Sequence, residues 1–414
     1  MKRNLLILIC AVVLLCGCSL PLMAETADTT APSDWTIPEY DEKSYTAMKA
    51  AMDVYDPLAP EAPGLLATAA VLMDAQTGQI LYEIDPDGLR YPASLTKMMT
   101  LVVVLNAVEE GTVTLEDKVV FSETAVTQES SFLKLDPGTT VTLDHCLKVM
   151  MVFSANDAAF ALAEHVGGTV ENFASMMNET AKALGMNASN FVNPNGLPDP
   201  NHWTTARDLA ILSRHCVLRE DVMRYASLEY VEINGGKKIY NTNKLLFWTD
   251  GADGLKTGKT IAAGHCLAAT AERTGMRLIS VTLGSPGDYD HYIDGMKLLE
   301  YGFANYSLEK VVTKGDIFGK VPVLYGRENE VEVAAAEDLF CITKNGETAK
   351  AEIVSEFAEA VEGPADAGLD GGEVVVTYNG TEVGRCDLLT TEEIRKRTVF
   401  QWLGDFFKAL LQSI

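Results

Sequence analysis

The sequence has 414 residues, of which 47% are apolar, with 58 acidic against 33 basic side chains and a net charge of −25. That length supports more than one hydrophobic core. So large a negative charge opposes any polyanionic partner, so nucleic-acid binding is set aside.

At the N-terminus Lys2 and Arg3 precede an apolar run over 5–15, then small residues and Ala24, the pattern of a secretion signal over 1–24. Cleavage after Ala24 is the preferred processing, with lipidation at Cys18 in "LCGCS" as the alternative. The run is too short for a permanent membrane span. Residues 25–62 are acidic and punctuated by proline, a linker or an N-terminal arm with at most a short helix near 43–54.

From Leu65 the texture changes. "ATAAVLMDAQTGQILYEIDPD" holds two apolar runs around a turn at 74–78 and predicts a β-hairpin. Residues 94–108 are apolar on every face with Gly111 just beyond, which predicts a helix inside a large core. A second helix is expected over 143–153 behind Thr142 as its cap. A loop-rich stretch, "NFVNPNGLPDPNHWTTARDLAILSRH", turns back into helix, and "GLKTGKT" and "HCLAATAERTGMRLISVTLG" read as three strands with a turn at 273–275. Strands early and late with helices between them predict a sheet whose edges come from both ends of the segment. From about 311 to 389 short strands with Gly, Asn and Asp turns suggest a separate small β-domain. In the tail, Val399, Leu403, Phe406, Phe407, Leu410, Leu411 and Ile414 recur at helical spacing, an amphipathic helix over 393–414.

Cys10, Cys16 and Cys18 lie in the leader, and Cys146, Cys216, Cys266, Cys341 and Cys386 are scattered without CxxC spacing. Buried free thiols are expected rather than a disulfide framework or a zinc site. The histidines show no HExxH or paired-ligand spacing, so no metal or other cofactor is expected. There is no GxSxG elbow for a hydrolase triad.

An SxxK pattern occurs three times, at Ser94–Lys97, Ser131–Lys134 and Ser307–Lys310. The chemistry needs a helix, because a spacing of three places hydroxyl and amine on one face. Only Ser94 opens a long apolar helix, where Lys97 among Leu95, Met98, Met99 and Leu101 would be desolvated and therefore held neutral. Taken alone, the pattern still favours Ser94 as a helix cap with Lys97 snorkelling to solvent. Two further motifs reverse that balance: Ser154-Ala155-Asn156 and Lys256-Thr257-Gly258 each occur once, in the order SxxK, SxN, KTG.

With those motifs, and with the flanks "PASLTKMMT", "SANDAA", "FVNPNGLPDPNHWTTARDLA" and "DGLKTGKT", the sequence resembles the penicillin-recognising serine enzymes, and among them the D-alanyl-D-alanine carboxypeptidases. The resemblance runs from about Leu65 to Tyr306 and extends to the layout of the β-domain and terminal helix. It implies an α/β (α+β) penicillin-binding or serine β-lactamase-like domain over 63–306, with an antiparallel sheet and a helical cluster, followed by a small all-β domain over 307–392. It further implies that Ser94 attacks the penultimate D-alanine carbonyl of a peptidoglycan stem peptide and that Lys97 takes its proton. Ser154 would relay that proton to the leaving group with Lys256 polarising it, and Asn156 would hold the substrate amide and orient Lys97. Thr257 would meet the terminal carboxylate, Gly258 would leave room for the ligand, and the backbone N–H groups of Ser94 and Lys259 would form the oxyanion hole. β-Lactams would bind covalently, and the terminal helix, with Arg395, Lys396, Arg397 and Lys408 beside Trp402, Phe406 and Phe407, would lie on a membrane surface at the outer face of the cell.

The sequence departs from the family pattern at Asn195, Trp203 and His291. His291 falls where relatives commonly carry an arginine that helps to hold the terminal carboxylate. A histidine only partly charged at neutral pH predicts substrate binding that weakens above about pH 7; the bland alternative is a surface-loop residue. A class A β-lactamase would need a Glu in the loop before KTG, and none occurs over 180–219. A D,D-endopeptidase acting on cross-links is the runner-up. A catalytically silent scaffold has no physical reason to retain a buried lysine beside a serine.

Overall fold

The computed structural model describes residues 62–233, 236–345 and 351–404, with the isolated positions 46, 50, 52, 55 and 56. The expected secretion signal, most of the linker, and the tail stripe from Phe406 onward lie outside the described residues.

The strand Ala69–Asp74 (β1) is apolar without alternation because it is buried along its whole length. It pairs with Ile80–Ile84 (β2) across the turn expected at 74–78. Three later strands complete the sheet: Ala252–Thr260 (β3), Gly264–Arg273 (β4) and Met276–Ser285 (β5). Their order is β2-β1-β5-β4-β3, antiparallel throughout, so one edge comes from early sequence and the other from late. β3, which carries Lys256-Thr257-Gly258, is the second edge, with no strand beyond it among the described residues.

Between the halves of the sheet the chain is helical: Thr96–Glu109 (α1), Leu143–Val152 (α2), Asn156–Gly167 (α3), Val170–Ala183 (α4) and Ala206–Val217 (α5). α1 is buried continuously from Thr96 to Leu105, which is why its sequence shows no polar face. α2 starts where Thr142 accepts the backbone N–H of His145 at 3.3 Å, the expected cap. One face of the sheet packs with these helices through Val71, Met99, Leu147, Leu209 and Val281. The other face is covered by Asp290–Asn305 (α6), through Leu72, Leu278, Leu298 and Leu299. The N-terminal segment rests on that same side, where the Tyr55 hydroxyl donates to Lys297 O at 3.1 Å.

Beyond α6 the chain is all β as far as Thr390 among the described residues. Six strands, Ile317–Leu324 (β6), Glu330–Ala335 (β7), Ala351–Phe357 (β8), Val361–Glu362 (β9), Asp370–Tyr378 (β10) and Thr381–Thr390 (β11), are ordered β8-β10-β11-β7-β6-β9. Val321, Val333, Val374, Val376 and Leu388 form a core separate from the two already described. A mixed helix-and-sheet domain followed by an all-β domain is the architecture expected from the sequence.

The three SxxK serines now separate physically. Ser131 and Lys134 lie on a loop, Ser307 and Lys310 on the strand Tyr306–Val312, and Ser94 in the short 3₁₀ turn Ala93–Leu95 that leads into α1. Cys146, Cys216, Cys266, Cys341 and Cys386 are buried free thiols. Residues 399–404 are helical and expose Val399, Phe400 and Trp402, while Arg397 Nε and Gln401 Nε2 donate to Gly326 O and Arg327 O and hold this segment to the β-domain. No helix among the described residues is long and apolar enough to cross a membrane.

Candidate active site

Ser94 stands half-buried at the foot of α1, and its turn is tied down from below. Thr96 Oγ1 donates to Ala93 O at 2.8 Å and lies 2.9 Å from Nε2 of the buried His202, whose Nδ1 accepts the Val192 N–H. Because Nδ1 accepts, the ring proton sits on Nε2 and points at Thr96. Burial holds His202 neutral, with its pKa lowered to about 4. Gly196 is required beside this turn: its φ is +82°, and a Cβ there would lie 1.8 Å from Ala93 O.

One helical turn on, Lys97 is fully buried. Its Nζ lies 2.9 Å from Ser94 Oγ, 2.6 Å from Asn156 Oδ1 and 2.9 Å from Asn195 O. Burial, reinforced by the nearby Lys256 ammonium, pushes its pKa well below that of an ordinary lysine. A neutral amine has two N–H donors and one lone pair. In that neutral form the two carbonyl oxygens take the donors, which leaves the lone pair for the serine hydroxyl.

Asn156 begins α3, and its own ends are fixed: its N–H donates to Ser131 O and its Nδ2 to Glu129 O, each at 2.6 Å. The next residue, Asp157, is buried, and burial raises its pKa to about 6 even though it accepts the Leu133 and Ala158 N–H groups. Through these bonds the loop over 129–133 is clipped against the start of α3. Ser154, at φ +66°, faces the same cleft as Ser94. That cleft has a volume of about 730 Å³ and is also lined by Asn156, Thr257, Gly258, Lys259 and His291.

Along β3 the side chains alternate as a strand requires. Lys256 points into the protein and is 1% exposed, with its pKa lowered by burial to about 7. Thr257 points to the cleft, where its Oγ1 donates to Thr242 Oγ1 at 2.9 Å. Gly258 crosses directly over the Ser94 turn: a Cβ there would lie 2.9 Å from Ser94 N and 3.1 Å from Ala93 Cβ. Lys259 is exposed and donates to Asp288 at 2.6 Å.

The structure therefore brings every residue singled out from the three motifs to one cleft, with Lys97 and Lys256 directly beneath it. His291 also lines the cleft, but its expected behaviour is corrected. It is 4% exposed, stacked against Tyr292 and His265, and held by burial and by neighbouring positive charge at a pKa of about 3. It is neutral throughout the neutral range, so no titration near pH 7 arises from it. Asn195, read from sequence as a loop substitution, contributes its backbone carbonyl to the lysine, and Asp157 and Thr242 were not anticipated. A carbonyl leaves no trace in residue identity; the only local signal for Asn195 is the glycine that follows it.

Residues 56–287 match the D-alanyl-D-alanine carboxypeptidase family, and residues 306–396 match the penicillin-binding protein 5 C-terminal domain. The D-alanyl-D-alanine carboxypeptidase DacF of Bacillus subtilis is 31% identical over 83% of this chain and 90% of that protein. Penicillin binding protein 5 from Haemophilus influenzae is similar in structure, with a TM-score of 0.71 at 35% identity over 81% of this chain and 99% of that one. Penicillin-binding protein D2 from Listeria monocytogenes, solved in an ampicillin-bound form, matches with a TM-score of 0.52 at 34% identity over 59% of this chain and all of that one.

The electrostatics of Lys256 generate a prediction independent of any activity. A lysine whose folded-state pKa is depressed opposes folding fully below that value, progressively less above it, and not at all beyond its ordinary 10.5. Lys256→Met should therefore raise the unfolding free energy by a few kcal/mol at about pH 6, with the gain shrinking toward about pH 10. Urea melts at both pH values measure this, and a pH-independent difference would contradict the assignment.

Proposed function

The chain belongs to the D-alanyl-D-alanine carboxypeptidase family and is a serine-type D-Ala-D-Ala carboxypeptidase, and on that premise we propose how its own residues divide the reaction. The observation that carries the assignment is the fully buried Lys97 Nζ lying 2.9 Å from Ser94 Oγ. Ser94 Oγ attacks the penultimate D-alanine carbonyl of a peptidoglycan stem peptide, and its proton passes to Lys97. Ser154 carries a proton to the nitrogen of the departing D-alanine, and Lys256 below it polarises the hydroxyl. Water then attacks the Ser94 ester, the acyl–oxygen bond breaks, and the shortened peptide leaves as a carboxylic acid.

The edge position of β3 lets an extended peptide add to the sheet as a further strand. Gly258 allows the carbonyl to approach the Ser94 N–H, which with the Lys259 N–H stabilises the oxyanion. Asn156 orients Lys97 and receives the substrate amide, and Thr257 meets the terminal carboxylate. We extend the proposal to the layout of the chain: a signal over 1–24, an arm over 25–62, the catalytic domain over 63–306, the β-domain over 307–392 and an anchoring helix over 393–414. The aromatic and aliphatic side chains already exposed at 399–403 support the anchor. Export to the cell wall follows from where the substrate resides.

Three measurements test this reading. Intact-mass analysis with benzylpenicillin should show one long-lived adduct, absent in Ser94→Ala, and incubation with diacetyl-lysyl-D-alanyl-D-alanine should release D-alanine; rapid loss of the adduct would favour a β-lactamase. Gly258→Ala should slow acylation by roughly 10²-fold or more while the melting temperature shifts little; unchanged acylation would remove the oxyanion role from this crossing. Deleting 395–414 should release the protein from membranes without lowering turnover of soluble peptide, whereas persistent attachment would point to Cys18.

A further inference from the structure

We propose that Gln128 is a positioning residue for Lys97: through Asn195 it locks together the two oxygens that accept from the lysine amine, an inference that rests on the carboxypeptidase reading above. Those oxygens, Asn156 Oδ1 and Asn195 O, come from separate stretches of chain, the start of α3 and the loop before α5. The base needs both at once, because an amine that loses one acceptor is free to turn an N–H toward the serine. Asn156 is fixed by Glu129 O and Ser131 O. Asn195 is buried, and its side chain is fixed at both ends: Oδ1 accepts the Leu197 N–H at 3.1 Å, and Nδ2 donates to Gln128 Oε1 at 2.9 Å. The polarity of Gln128 is set in turn, since its Nε2 donates to Thr124 O at 3.2 Å and leaves Oε1 to accept.

One short stretch, 128–131, therefore holds both acceptors. The other bonds of the Asn195 turn do different work. Gly196 N donates to Asn193 Oδ1 at 2.7 Å and Asn193 Nδ2 to Leu197 O at 2.9 Å, which shapes the turn internally. Thr100 Oγ1 donates to Pro194 O at 2.6 Å, which seats the turn on α1. The bond to Gln128 is what joins it to the loop that fixes Asn156. Between the two carbonyls that reach Asn156, Ser130 takes φ +76°, a backbone state that a serine keeps only where its surroundings hold it. Ser130 and Ser131 line the cleft, whereas Gln128 and Asn195 do not. The pair thus acts on the base and leaves substrate contacts alone. Asn195 is also a departure from the family pattern, and its amide is the group that makes this tie.

The test uses the full chain, with the acylation rate by benzylpenicillin read alongside KM and kcat for diacetyl-lysyl-D-alanyl-D-alanine. Gln128→Met, which keeps the length and removes the acceptor, should lower acylation and kcat about tenfold or more with little change in KM. Gln128→Glu, which keeps the acceptor for Asn195 and loses only the donor to Thr124, should recover most of that loss. Asn195→Ala should slow acylation similarly, and combining it with Gln128→Met should add little, because both remove one bond. Each rate is a first-order approach to full labelling and does not depend on the fraction folded. Acylation unchanged in Gln128→Met, a Gln128→Glu variant as slow as Gln128→Met, a loss that appears in KM, or losses that multiply in the double variant would overturn the inference. Failure of the unmodified protein to take label from benzylpenicillin would overturn the carboxypeptidase reading itself.

Discussion

A neutral amine held in the protein interior is the constraint from which the rest of this structure follows. Lys97 can serve as a base only without its proton, and burial in α1, apolar on every side, with a second lysine close by, lowers its pKa toward that form. Both conditions demand a large core: the helix must be wrapped on all faces, and β3 must bring Lys256 in from the far end of the domain. The long insertion of helices between the early and late strands of the sheet is the architectural expression of that demand. Folding carries two buried lysines because the chemistry needs them, the kind of conflict between stability and function that active sites retain.

Much of this was legible in the sequence, and the reason differs from residue to residue. Ser94 and Lys97 were visible as a spacing, but Ser131–Lys134 and Ser307–Lys310 share that spacing and lie on a loop and a strand. What separated them was the apolar run after Ser94, which is a statement about burial. The hairpin, the edge strand and the start of α2 behind Thr142 were readable because turn and cap residues act locally. The Asn195 carbonyl, the Thr242 hydroxyl and the Asp157 clip were not readable, since each acquires its role from chain that is distant in sequence.

His291 shows the opposite case, a residue correctly placed and wrongly characterised. Its place in the family pattern put it near the substrate's carboxylate, and the residue does line the cleft. Its charge state, however, is decided by its neighbours: Tyr292 and His265 desolvate the ring, and Lys259 adds like charge. The ordinary pKa of a solvated imidazole says little about one enclosed by Tyr292 and His265, and position in the sequence does not report enclosure.

The sheet edge has a further consequence. A peptide that pairs with β3 is gripped through its backbone amides, which are the same whatever side chains the peptide carries. Discrimination is thereby displaced from the middle of the substrate to its end. An enzyme that grips its substrate this way tolerates wide variation in the composition of the strand it trims, and its selectivity is concentrated at the terminus that the proposed Thr257 contact receives.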